Sequence, residues 1–189
     1  MLEAPVAGLF LHASAVVVDG GAVLFLGHST AGKSTIARML GPTFPALADD
    51  AVYAAKDAAG GWRVVEGGFR FEDGDIYQRI QEIHRQIRDG KGVPLRACFR
   101  LRKAEQVRLI PVPPVELARY LADAALEVDL QRKTEKYQKS PKIDLLALHR
   151  QWFHWVAEIA RSHSGWMLCF SITSDKSEIC DLIQEAVQL

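Results

Sequence analysis

Near its N-terminus the chain has two stretches in which apolar residues follow one another without interruption, rather than alternating with polar ones. Residues 15–18 (AVVV) and 22–26 (AVLFL) predict two strands, separated only by Asp19-Gly20-Gly21. A turn this short makes the two strands an antiparallel hairpin. A purely parallel sheet would need a crossover of a dozen residues or more at this point. The pattern therefore predicts an α/β fold with a mixed, partly antiparallel central sheet.

Further strands and helices follow from the same pattern. Short strands are predicted over residues 44–48, 52–55, 62–65, 96–101, 106–110 and 166–172. Residues at helical spacing predict helices over 34–40, from 115 to about 126, over 143–162, and at the C-terminus after an Asp175 cap. The helix over 143–162 is expected to be the longest. Its apolar residues cover more than one stripe, which indicates packing on two sides or a subunit contact, so a homo-oligomer is left open.

The strand over 22–26 leads into an octapeptide, GHSTAGKS at residues 27–34. Two glycines with four residues between them, followed by Lys and Ser, fit the phosphate-binding P-loop (Walker A) pattern. A strand before it and a helix after it aim backbone N–H groups and a helix N-terminus at a phosphate chain. We therefore predict a phosphate-binding site formed by Gly27, His28, Ser29, Thr30, Ala31, Gly32, Lys33, Ser34 and Thr35. The alternative is a glycine-rich connector without a ligand.

Two adjacent carboxylates, Asp49 and Asp50, end the apolar run 44–48. The strand before the loop, the helix after it and the apolar run 44–48 predict a right-handed βαβ unit whose two strands are parallel neighbours. Parallel neighbours end at the same edge, so both aspartates should emerge beside the loop. There they could hold Mg²⁺ together with the Ser34 hydroxyl. The alternative is a solvated turn.

Composition narrows the classes of partner. The 189 residues suit a single domain, and 23 basic and 23 acidic side chains balance, which argues against nucleic acid and anionic membrane as partners. No apolar stretch is long enough to cross a bilayer, and residues 8–15 lack the basic start of a signal peptide. Three widely spaced cysteines, Cys98, Cys169 and Cys180, indicate buried thiols in a cytoplasmic protein.

Residues 131–142 are rich in basic and poor in apolar side chains, which predicts a mobile loop or lid. A solvated loop is the simpler interpretation. Contact with an anionic substrate is the functional alternative.

The residues quoted so far resemble a known family. His12-Ala13-Ser14, the valine-rich strand, the loop and Leu47-Ala48-Asp49-Asp50 are similar to the catalytic domain of HPr kinase/phosphorylase. They are also similar to its shorter relatives, the HPr-kinase-like serine kinases, some of which accompany lasso-peptide genes. The hairpin before the loop is shared with phosphoenolpyruvate carboxykinases. The resemblance covers about residues 9–52 and implies one P-loop kinase domain over residues 1–189.

The resemblance also implies roles for individual residues. Lys33 and the loop amides would hold the ATP phosphates, and Ser34 would hold Mg²⁺. One of Asp49 and Asp50 would share the metal while the other takes the proton from a serine hydroxyl; we favour Asp50 as the base and Asp49 as the metal ligand. His12 would stand close to that base, or would be a buried histidine paired with a backbone group.

Two departures from the family pattern bear on activity. Thr30-Ala31 replaces a glycine-containing pair, and the acidic-Arg-Gly-x-Gly signature of the phosphorylase reaction has only residues 65–68 as a distant counterpart. We therefore expect an ATP- and Mg²⁺-dependent serine kinase acting on a small protein or peptide, without phosphorolysis. The alternatives are a nucleotide-binding regulatory module without transfer activity, and a kinase of a small molecule such as free serine.

Overall fold

The computed structural model of the chain describes residues 8–65, 85–87, 89–135 and 145–189. Its strands are β1 (Gly8–Leu11), β2 (Ala13–Val18), β3 (Gly21–Leu26), β4 (Ala46–Ala48), β5 (Val52–Lys56), β6 (Trp62–Val64), β7 (Val93–Lys103), β8 (Arg108–Pro111) and β9 (Ser164–Phe170). Its longer helices are α1 (Lys33–Leu40), α2 (Pro114–Glu135), α3 (Leu145–Ser162) and α4 (Lys176–Gln188).

The sheet is mixed, as predicted. Strands β3, β7 and β9 run parallel to one another, with β7 in the middle. On one side, β2 pairs antiparallel with β3, and β4 pairs antiparallel with β2; on the other, β8 pairs antiparallel with β9. The first residues of β7 also pair with β6, which continues through β5 to β1. The hairpin predicted around residues 19–21 is confirmed, and the strands predicted over 52–55 and 62–65 form a second antiparallel pair.

The turn between β2 and β3 explains why the chain reaches the 27–34 loop so early. Val18 lies opposite Gly21, which leaves Asp19 and Gly20 as the turn residues. Both have positive φ angles, 48° and 74°. Positive φ at both central positions is the geometry of a tight two-residue hairpin, and Asp-Gly is a favoured sequence for it.

Strand β3 is buried on both faces, which is why its sequence is continuously apolar. Leu24 and Leu26 belong to the core beneath α2 and α3, while Val23 and Phe25 belong to the core beneath α1 and α4. Alternate residues of a strand point to opposite faces of a sheet, so helices on both sides require apolar residues at every position. The loop that follows β3 is thus anchored to the centre of the molecule.

The prediction that β4 neighbours β3 is wrong. Strand β2 lies between them, and two successive antiparallel pairings make β4 parallel to β3. The sequence pattern could not reveal this order, because the preceding hairpin strand occupies the position that the crossover would otherwise fill. Since β4 keeps the direction of β3, residues 49–50 still emerge at the edge where the loop lies.

Two predicted helix lengths also change. Helix α2 runs for 22 residues to Glu135, past the predicted end near residue 126, and is longer than the 18 residues of α3. The loop predicted over residues 131–142 is therefore helical as far as 135, and its remainder lies outside the described residues. Asp175 caps α4 as predicted, its carboxylate accepting the Ser177 backbone N–H at 2.9 Å.

The three cysteines are free and buried, as expected. Burial raises the pKa of the Cys98 thiol to about 12, so this side chain stays neutral and unreactive at ordinary pH. Within the described ranges, no helix has the length and apolar character needed to cross a membrane.

Candidate functional site

The 27–34 loop joins the end of β3 to the start of α1 and is held by its own backbone. Ala31 N–H donates to the His28 carbonyl at 3.0 Å, and Thr30 and Gly32 adopt positive φ angles of 73° and 102°. No side chain caps α1, whose first backbone bond runs from Ile36 N–H to the Gly32 carbonyl. The N–H groups of residues 33–35 therefore have no acceptor within the helix and are open to an anion.

Lys33 is the buried cation of the loop. It is 7% exposed, and its ammonium donates to the carbonyl oxygens of Gly27 at 2.8 Å and His28 at 3.1 Å. Burial lowers the pKa of the Lys33 ammonium, an effect opposed by the carboxylates of Glu127, Asp50 and Asp49 and reinforced by Arg100. A desolvated ammonium that donates to neutral carbonyl oxygens is stabilised when a phosphate chain enters the loop.

The backbone under Lys33 is fixed from a neighbouring strand. The buried Ser14 hydroxyl of β2 donates to the Lys33 carbonyl at 2.9 Å. This bond ties the first turn of α1 to the sheet. The orientation of the helix N-terminus is thereby set by the hairpin that precedes the loop.

The Asp49 carboxylate is hydrogen-bonded to the last residue of the loop, Ser34. Its Oδ1 accepts the Ser34 hydroxyl at 2.9 Å and the Asp50 backbone N–H at 3.0 Å. Ser34 thus stands between the helix N-terminus and a carboxylate that comes from the end of β4. A hydroxyl beside a carboxylate is the donor pair expected for a magnesium ion that also binds phosphate oxygens.

Asp50 points in a different direction from Asp49. Its backbone has φ 70°, and its side chain is 71% exposed, with Oδ1 3.4 Å from His12 Nε2. The left-handed backbone, which aspartate tolerates better than most residues, separates the two adjacent carboxylates. One carboxylate faces Ser34 and the other faces solvent and an imidazole.

His12 lies between two carboxylates. Its ring is buried, with Nε2 facing Asp50 and Nδ1 3.0 Å from Glu127 Oε2, a contact that lacks the alignment of a hydrogen bond. Its backbone N–H donates to the Ala124 carbonyl of α2 at 3.0 Å. The structure therefore brings α2 into the site and adds Glu127, which the sequence analysis did not identify.

The residues expected to act together are close to one another. One end of the loop is where the contacts above bring these residues together: Lys33, Ser34, Asp49, Asp50 and His12. Among the residues that the structure describes, no group of three or more His, Cys, Asp or Glu side chains could hold a metal by itself. A magnesium ion that keeps several waters and shares phosphate oxygens needs only one or two protein ligands, which Ser34 and Asp49 could supply.

The left-handed backbone at Gly32 gives a stability prediction. We expect Gly32→Ala to lower the free energy of unfolding by about 1–3 kcal/mol, because φ is 102° and a side chain there is strained. Gly41→Ala is the matched control at the other end of α1, where φ is −49°. Urea denaturation compares the two variants. Equal midpoints would show that the strain at Gly32 is not real.

The family model described as "ScmC: SynChlorMet cassette protein ScmC" matches residues 3–181. No curated protein matches the sequence. Among solved structures, one titled "Structure of the Hpr(Ser) kinase/phosphatase from Coxiella burnetii" matches 95% of this chain and 88% of its own, with 12% identity and a TM-score of 0.34.

Proposed function

The chain belongs to the ScmC family, and we propose that it is an ATP- and Mg²⁺-dependent kinase that phosphorylates a serine hydroxyl in a small protein or peptide. One observation carries this proposal. Beside a loop with the sequence pattern of a phosphate site, Asp49 contacts Ser34 while the adjacent Asp50 is turned away and remains exposed. A site that only bound nucleotide would have no need of the second carboxylate.

The binding half of the site consists of backbone and Lys33. The N–H groups at the start of α1 and the positive end of its dipole favour the phosphates of ATP. Lys33 would exchange the carbonyl oxygens of Gly27 and His28 for β- and γ-phosphate oxygens. Ser34 and Asp49 would hold Mg²⁺, which neutralises the charge that develops on the phosphates.

The reacting half of the site consists of Asp50 and its neighbours. The acceptor serine oxygen attacks the γ-phosphorus, the bond from that phosphorus to the bridging oxygen of ADP breaks, and Asp50 takes the hydroxyl proton. Phosphoryl transfer needs mainly positioning and charge neutralisation, with one base at the nucleophile. His12, anchored through Glu127, fixes the Asp50 carboxylate from the protein side.

Labelled ATP tests the proposal. The full chain is incubated with γ-³²P-ATP and Mg²⁺, in parallel with a serine-bearing peptide, its alanine counterpart, and free serine. We expect label in the serine peptide alone, located on its hydroxyl by mass spectrometry. Label in free serine would favour the small-molecule kinase. ATP binding with no transfer to either acceptor would favour the regulatory module and contradict a kinase.

Glu127 gives a separate prediction within this function. We expect Glu127→Gln to lower the transfer rate by about 10-fold, because His12 loses the carboxylate beside its ring and the Asp50 carboxylate is positioned less well. We expect ATP affinity not to fall, because the substitution removes a negative charge near Lys33 and leaves Lys33 itself in place. Glu158→Gln on α3, whose carboxylate pairs with Lys56, is the control for loss of a charge. Steady-state kinetics with varied ATP measure both quantities. An unchanged transfer rate in Glu127→Gln would remove this residue from the site.

A further inference from the structure

A cleft lies beside the 27–34 loop, and the residues given catalytic roles above do not line it. Its volume is about 450 Å³, within the usual size range of small-ligand pockets. It is lined by His28 of the loop, Arg100, Leu101 and Arg102 of β7, Arg119, Tyr120 and Asp123 of α2, and Met167 of β9. The cleft shares His28 with the phosphate loop, so the two sites are continuous.

Positive charge dominates this cleft. Three arginines, Arg100, Arg102 and Arg119, line it with one acidic residue, Asp123. Arg119 already pairs with Glu116, at 3.8 Å. Arg100 is half-buried, and within the described part of the chain neither it nor Arg102 forms an ion pair or a hydrogen bond. A partly desolvated guanidinium without a carboxylate partner is costly unless an anion binds to it.

Tyr120 holds two of these guanidiniums in place. The Arg100 Cζ lies 4.9 Å from the centre of the Tyr120 ring, and the Arg119 Cζ lies 5.2 Å from it. The Tyr120 hydroxyl in turn donates to Glu116 Oε1. A guanidinium held over an aromatic ring keeps N–H groups for other partners, and a planar guanidinium matches the two oxygens of a carboxylate. This applies to Arg100, since Arg119 already pairs with Glu116.

Helix α2 connects the cleft to the proposed base. Tyr120, Asp123 and Glu127 recur at a spacing that puts them on one side of the helix. Tyr120 and Asp123 line the cleft, and Glu127 contacts His12, which contacts Asp50. A molecule seated in the cleft therefore lies along the helix that leads to the reacting end of the site.

The adenosine of ATP is a poor occupant for this cleft. Tyr120 is only 7% exposed and its ring is already stacked by arginine, so it offers no platform for a base. Adenine and ribose carry no negative charge for the arginines of the cleft to bind. The phosphates of ATP are expected to bind to the 27–34 loop. Carboxylates of the acceptor are therefore a better match for the arginines of the cleft than the nucleoside is.

We propose that this arginine cleft binds the carboxylates of an acidic serine-bearing acceptor peptide, an inference that rests on the kinase function proposed above. Carboxylates beside the acceptor serine pair with Arg100 and Arg102, and the serine extends along α2 toward Asp50. Charge in the cleft thereby selects acceptors and orients them.

Peptide binding tests this inference without requiring transfer. Fluorescein-labelled DEDSEDE and its neutral counterpart NQNSQNQ are titrated with the full chain, Mg²⁺ and a non-hydrolysable ATP analogue, and anisotropy is recorded. We expect the acidic peptide to bind at least about 10-fold more tightly at low salt, and this preference to shrink as salt is raised.

Variants assign the preference to the cleft. We expect Arg102→Gln and Arg100→Gln each to weaken binding of the acidic peptide by about 5- to 10-fold and to leave the neutral peptide unaffected. The Arg102 side chain is exposed and has no ion pair or hydrogen bond within the described ranges. The Arg102→Gln variant is therefore expected to fold, and it tests the cleft even if Arg100→Gln proves unstable. Arg161→Gln, exposed near the end of α3, is the matched control and should bind like the unmodified chain.

The outcomes separate this inference from the kinase proposal. Equal affinity for the two peptides, no binding of either, or full affinity in both arginine variants overturns the cleft assignment even if serine is phosphorylated. Arginine-dependent binding of the acidic peptide without transfer from ATP supports the cleft and overturns the kinase.

Discussion

Asp50→Asn should lower the rate of phosphate transfer by about 10²–10⁴-fold while leaving ATP affinity nearly unchanged. Asparagine keeps the shape of the side chain and tolerates the φ of 70°, but it cannot take a proton from the acceptor hydroxyl. The contact of Asp49 with Ser34 is untouched, so the metal side of the site remains. Transfer is measured with labelled ATP and affinity by calorimetry.

The matched control is Asp19→Asn in the turn between β2 and β3. Asp19 also has a left-handed backbone, with φ 48°, but no contact with the site. We expect this variant to match the unmodified chain in both rate and affinity. Transfer that survives in Asp50→Asn would show that another group is the base, or that none is needed.

Lys33→Met should impair both binding and transfer. Methionine fills the buried space of the lysine stem but removes the ammonium that would reach the phosphates. We expect ATP affinity to fall by about 10- to 100-fold, the value of a hydrogen bond to a charged group, and transfer by about 10²–10³-fold. Lys103→Met, an exposed change at the end of β7, controls for the lost charge.

Calorimetry and single-turnover transfer distinguish Lys33 from Asp50. Loss of transfer with full ATP affinity in Lys33→Met would mean that the lysine does not hold the phosphates in the ground state. Full activity would show that the 27–34 loop is not the nucleotide site.

Much of the fold is encoded locally and could be predicted. The Asp19-Gly20 turn needs positive φ, and the apolar run of β3 needs a helix layer on each face, so both are visible in the sequence. The order of the edge strands is not local. Whether β4 pairs with β3 or with β2 depends on which strand already occupies the neighbouring position.

The site divides in the same way. Lys33, Ser34 and the two aspartates belong to short segments flanking one strand and one helix, and sequence pattern brings them together. Glu127 comes from a helix far along the chain, and its contact with His12 depends on how α2 packs, including the bond from His12 N–H to Ala124. Its spacing from Tyr120 and Asp123 is the signal that sequence analysis missed.

The arginine cleft was hidden for a similar reason. Arg100 and Arg102 are two positions apart in β7, and in the sequence they resemble ordinary charged residues near the end of a strand. Only the crossing of α2 over this part of the sheet puts Arg119 and Tyr120 beside them. A charge that looks solvated in sequence thus becomes half-buried in the fold.

A crystal structure of the chain with Mg²⁺ and a non-hydrolysable ATP analogue tests the site most directly. We expect the phosphates on the N–H groups at the start of α1, Lys33 moved from carbonyl to phosphate oxygens, and the metal about 2.1 Å from the Ser34 hydroxyl oxygen, with Asp49 beside it. We also expect Asp50 to face the γ-phosphate across a gap that a serine hydroxyl could fill. Phosphates bound elsewhere, or Asp50 turned away from the γ-phosphate, would contradict a phosphoryl-transfer site here.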